Sequence, residues 1–112
     1  MYLAGYAVEC LLKARLMRMY DCRHLRELEA ELQRRGSLRD DRTVFTHQLE
    51  ALLKLTGGLE RLSKDHQTRE ALRIVNRWSS AWRYHVGWTT RHHAEQFIEA
   101  VDRILSWIRH NI

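Results

Sequence analysis

The sequence predicts an all-α fold, an up-and-down bundle of four to five helices forming one domain over residues 1–112. Three observations carry this expectation. The chain contains no proline and only 5 glycines, so little in it interrupts a helix. Its apolar residues recur at helical spacing instead of alternating. Its 112 residues and 45% hydrophobic content suit a single soluble core, one small enough that a partner subunit could matter.

The first helix, Tyr2 to Tyr20, organises the rest. On a helical wheel Leu3, Ala7, Cys10, Ala14 and Met17 line one side, and Ala4, Val8, Leu11, Leu12 and Met19 line the next. A helix apolar over so wide an arc is expected to be buried on several sides. Glu9 is the one acid in that field, and Lys13 follows one turn later in the favourable order.

A second helical stretch opens at Asp21 or Cys22 with a narrow stripe of Leu25, Leu28 and Leu32, and stops at Gly36. Residues Ser37 to Phe45 are polar and aperiodic and read as an exposed connection. Thr46 is placed as the N-cap of a short helix from His47 to Thr56, with Leu49, Leu52 and Leu53 inward and Gly57-Gly58 as its stop. After a short lead containing Leu59 and Leu62, a long helix runs from about Asp65 to Arg83. Its core stripe is Ala71, Val75, Trp78 and Trp82, and Arg69, Arg73 and Arg77 stack at i+4 steps on the opposite face. Tyr84 to Thr90 breaks the period at Gly87, and Thr89 or Thr90 caps the last helix, Arg91 to His110. There Phe97, Val101, Ile104 and Ile108 point inward, Ala94, Ile98 and Leu105 widen the stripe, and Glu99 pairs with Arg103.

Charge narrows the function classes. The net charge is +5 with 16 Arg against 3 Lys, and the planar Arg fork suits phosphates. Cys10 and Cys22 lack CxxC spacing and Cys10 falls in a core pattern, which argues against a disulfide framework or a zinc site and for a cytoplasmic protein. The first helix is interrupted by Glu9, Lys13, Arg15 and Arg18 and lacks a small-residue cleavage site, so it reads as neither membrane span nor signal peptide. His92 and His93 are adjacent, so their rings diverge by about 100° on a helix and do not chelate one metal ion. There is no Gly-rich phosphate loop, and no cofactor is called for. Phosphate recognition falls to Arg, His and helix termini.

These residues carry a resemblance. Ala7-Val8-Glu9-Cys10-Leu11-Leu12-Lys13-Ala14, preceded by Tyr2-Leu3-Ala4-Gly5-Tyr6, is similar to the A-x-E-x-x-L-K-A first-helix signature of the HEPN domain family. Thr46-His47-Gln48-Leu49 resembles that family's T-H-x-L, Trp82-Arg83-Tyr84 resembles its R-Y pair, and Ala94 to Ile108 supplies a last helix of the right kind. Met1 abuts the first signature directly, as it would if the natural start lay upstream or the helix were truncated.

The resemblance implies a helical bundle, commonly a homodimer, that binds nucleotides or RNA. Many relatives are metal-independent ribonucleases or the toxin half of toxin–antitoxin pairs, often beside a small nucleotidyltransferase, which makes such a protein an expected partner. Catalytic relatives carry R-x(4–6)-H near the join of the last two helices. Here eight residues separate Arg83 from His92, so the chain departs from the pattern.

The candidate catalytic residues are Arg83, His85, His92 and His93, a set able to take a 2′-hydroxyl proton and hold a phosphate without metal. The candidate RNA-binding or nucleotide-binding residues are Arg69, Arg73, Arg77, Arg83 and Tyr84. Glu9, Lys13 and His47 are read as structural polar residues. Trp78, Trp82 and Trp107 are assigned to the core, and Trp88, beside Gly87, to an exposed contact or a subunit interface. The reading of a different class is a non-catalytic interaction module that docks a nucleotidyltransferase or another protein.

Overall fold

A computed structural model describes residues 2–38, 42–84 and 91–112, with side chains over 6–38, 42–77 and 91–112. Among the described residues six helices follow in order: α1 (Tyr2–Met19), α2 (Leu25–Arg34), α3 (Leu49–Thr56), α4 (Leu59–Lys64), α5 (His66–Tyr84) and α6 (Arg91–Asn111). No strand occurs among the described residues. The architecture is all-α, and the short lead around Leu59 and Leu62 is itself a helix.

Helix ends are set by local chemistry. At the end of α1, Asp21 takes a left-handed φ of 54°, while Cys22 N–H donates to the Met17 carbonyl and Asp21 N–H to that of Arg18. This reversal separates α1 from α2. The start of α2 is therefore later than Asp21 or Cys22: His24 Nδ1 caps it by accepting from Glu27 N–H, and Glu27 Oε2 accepts from Arg23 N–H. Gly57, at φ 78°, closes α3 in the same way, its successor donating to the Leu53 carbonyl. Gly58 then lies so near the C-terminus that a Cβ there would meet Ile112 Cδ1 at 2.9 Å.

α1 packs against α2, α3, α5 and α6, and α5 lies along α6. Val8, Leu12 and Leu16 of α1 meet Leu28, Leu32, Leu52, Leu53, Val75, Phe97, Ile104 and Ile108 in one core. Each fully buried aliphatic side chain there contributes about 2 kcal/mol of transfer free energy. Among the described residues the core is a single cluster.

Several expectations need correcting. α1 is not covered on all its apolar sides: Ala7, Cys10 and Ala14 are exposed, as are Tyr6 at 45% and Met19 at 50%. The buried arc is the Val8–Leu12–Leu16 stripe, and Cys10 lies outside it. The connection before α3 is not wholly exposed either. Glu29 Oε2 accepts from Thr43 Oγ1 at 2.8 Å and Val44 N–H at 2.7 Å, which docks the connection on α2 and seats Val44 in the core.

Thr46 does not cap α3. Its hydroxyl accepts from Gln48 N–H in a local turn, and the helix begins two residues later than expected, with Gln48 extended at the N-cap. On α6, Ile98 is exposed because Phe97, Ala100, Val101, Ile104 and Ile108 already fill the core side. Arg103 donates to Gln67 Oε1 of α5 at 2.8 Å, tying the two long helices together instead of pairing with Glu99. Trp107 is partly buried against the core, whereas the side chains of Trp78 and Trp82, and Trp88 altogether, lie outside the described residues.

Candidate nucleic-acid interface

The α5 helix gives the ridge its geometry. Asp65 caps α5, its Oδ2 accepting from Thr68 Oγ1 at 2.7 Å, and its backbone carbonyl takes the Arg69 N–H. Hydrogen bonds to the carboxyl itself, first from the Thr68 hydroxyl and then from the backbone N–H groups of Thr68 and Gln67, hold Asp65 below its usual range. With Ala71, Leu72 and Val75 turned into the core, the i+4 rule places Arg69, Arg73 and Arg77 together on the solvent side.

All three arginines are exposed and border one groove of about 750 Å³, floored by Leu59 and Leu72 and closed by Ser63 and Asn76. None of the three arginines is without an interaction of its own. Arg73 Nη2 lies 3.0 Å from Glu70 Oε1, and Arg69 Nη2 lies 3.2 Å from His66 Nδ1. The Arg73–Glu70 pair is solvent-exposed on both sides, where an ion pair is worth about 0–1 kcal/mol. Such a pair can exchange partners at small cost. Glu50 also lines the groove and accepts from Asn76 Nδ2 at 3.4 Å.

A second polar centre lies on α1. Glu9 is 4% exposed, and its two oxygens are divided between two partners: Oε2 is 3.0 Å from Lys13 Nζ and Oε1 is 2.7 Å from His47 Nδ1. The i,i+4 spacing brings in Lys13, and the docked connection brings in His47. The His47 side chain is more than half exposed, while its Nδ1 is held by Glu9. All three residues read as structural polar from the sequence thus belong to one cluster.

Compared with known proteins, the sequence matches no family model, and no curated protein or solved structure matches it.

Of the candidate catalytic set, His92 is exposed and His93 half-buried at the first turn of α6, with ring centroids 6.0 Å apart and planes tilted by 47°. Arg83 and Tyr84 form the last residues of α5, their side chains outside the described ones, and His85 lies outside the described residues altogether. The structure brings Arg69, Arg73 and Arg77 to one groove and His92 beside His93.

Sequence reasoning missed two features. Glu29 has no periodic signature that marks it as the acceptor fixing Thr43 and Val44. The groove between α5 and α6, lined by Asp65, Glu70, Glu99 and Asp102, appears only when the two helices are laid side by side. The i,i+3 spacing of Glu99 and Asp102 was the available signal.

Proposed function

We propose that this chain is a HEPN-like helical domain that binds RNA through the arginine ridge of α5. The observation that carries the reading is the placement of Arg69, Arg73 and Arg77, all exposed, along one groove. Arg77 lies eight helical steps beyond Arg69, a span of about 12 Å. That length matches a strand offering successive phosphates better than it matches one compact anion. Arg guanidinium forks suit phosphate oxygens, and the net charge of +5 favours an anionic partner throughout. The first-helix and T-H-x-L resemblances support the same assignment.

The reading includes a homodimer. The uncovered side of α1 presents Tyr6, Ala7, Cys10 and Ala14 at the spacing of a helix-packing seam, and a second copy of the same face would remove that surface from water. A small nucleotidyltransferase is a partner that the resemblance alone brings to this reading.

The test is binding of a labelled single-stranded RNA to the folded protein at low and moderate salt. Saturable binding that falls with salt is expected. Absence of binding at low salt would overturn the reading.

A further inference from the structure

The protein is basic overall, yet the groove between α5 and α6 is acidic. It encloses about 1070 Å³ and is open along its length. Asp65 and Glu70 stand on the α5 side, Glu99 and Asp102 on the α6 side, and among the described residues Arg103 is the one Arg or Lys in its lining. On a chain with 19 Lys and Arg against 14 Asp and Glu, this local inversion sets the groove apart from the ridge on the neighbouring side of α5. An RNA strand is repelled here and attracted there.

The carboxylates are not equally available. Glu70 is paired with Arg73, Asp65 is held by Thr68, and Arg103 is occupied by Gln67. Glu99 and Asp102 are exposed, one helical turn apart, and neither side chain has an ion pair or hydrogen bond among the described residues. Two like charges at i,i+3 destabilise a helix slightly when nothing opposes them. Beneath them the groove is apolar: Ala71 and Ala100 keep the floor low, and half-buried Ile74 and Trp107 give it two larger contacts.

We propose that this groove docks a basic amphipathic helix belonging to a partner protein. The α6 lining runs from Gln96 to Asn111, about 22 Å at the helical rise, which accommodates roughly four turns. Apolar residues on one face of the incoming helix cover Ile74 and Trp107 while Lys or Arg residues on its flanks reach Glu99 and Asp102. Aromatic anchors of this kind concentrate binding energy, and the surrounding charges set orientation and partner choice. The inference does not rest on the RNA reading: the two grooves share Glu70 alone among their lining residues and differ in the sign of their charge.

A labelled Leu/Lys amphipathic peptide of about 15 residues, long enough to fill the groove, serves as the probe, with a Leu/Glu peptide of the same pattern as its counterpart. Fluorescence anisotropy is expected to give saturable, salt-sensitive binding of the Lys peptide and none of the Glu peptide. The exposed double variant Glu99→Lys/Asp102→Lys should raise the Kd about tenfold or more, whereas Glu60→Lys/Glu95→Lys, with the same change in net charge at exposed sites outside the groove lining, should leave it within about twofold. Circular dichroism confirms that both variants are folded. Equal loss in the two double variants, or no saturable binding to the wild type, would overturn the proposal. RNA affinity should rise or stay unchanged in both variants, so failure here is distinguishable from failure of the α5 ridge.

Discussion

Glu9 Oε1 lies 2.7 Å from His47 Nδ1, joining residues 38 positions apart through an acid that is almost wholly buried. The same carboxylate holds Lys13, whose side chain is only 13% exposed. Glu9→Ala therefore strands a largely buried ammonium, and is expected to lower stability by about 3 kcal/mol. His47→Ala removes a partner that faces solvent and should cost about 1 kcal/mol. Urea denaturation of both variants checks the order, and a larger loss in His47→Ala would show that Glu9 is not the organising member.

The α1 part of this cluster was legible because Glu9 and Lys13 are i,i+4 on one helix. The contact to His47 was not, because it depends on the route of the connection from α2. That route is fixed by Glu29 accepting two hydrogen bonds and by Val44 entering the core, neither of which produces a period. For the same reason Thr46 looked like an N-cap while its hydroxyl in fact serves Gln48. The stripes of α5 and α6 were legible in their main members, since Ala71, Val75, Phe97, Val101, Ile104 and Ile108 are all buried. The outward apolar side of α1 was misjudged because hydrophobicity alone does not say how many neighbours a helix has.

Glu31 supplies a pH-dependent contribution. Its carboxylate accepts from Arg34 and Arg35, at 2.6 Å to the nearer oxygen in each case, and these hydrogen bonds lower its pKa from 4.5 to about 2. A depressed folded-state pKa means that the contribution is complete above about 4.5 and is lost as the pH falls toward about 2. The difference in urea midpoint between wild type and Glu31→Gln should accordingly shrink across that window and be smaller in high salt. A constant difference from neutral pH down to the acid limit would refute the assignment.

The exposed seam of α1 gives the dimer reading a direct measurement. Light scattering at micromolar concentration is expected to return twice the monomer mass of 13.5 kDa. Cys10 sits within the seam and is exposed, so Cys10→Arg should shift the population to monomer without loss of helicity, by placing a charge where two apolar faces meet. A monomer mass for the wild type counts decisively against the dimer.

The α5 ridge yields a graded prediction for RNA. Each Arg that neutralises a phosphate on a single strand contributes about 0.7 to the slope of log K against log salt. Arg69→Ala, Arg73→Ala and Arg77→Ala should each reduce that slope by about this amount and weaken binding to unrelated sequences alike. Arg73→Ala also frees Glu70, which adds a negative charge to the groove and makes it the most damaging of the three. The same samples, incubated in EDTA, decide between binding and cleavage. Products ending in 2′,3′-cyclic phosphate, lost in His92→Ala or Arg83→Ala at unchanged helicity, would place metal-independent chemistry at the junction of α5 and α6, with imidazole taking the 2′-hydroxyl proton and guanidinium holding the phosphate. Intact RNA bound with the expected salt slope identifies a binding module, and an unchanged slope in all three Arg variants removes the ridge from the account.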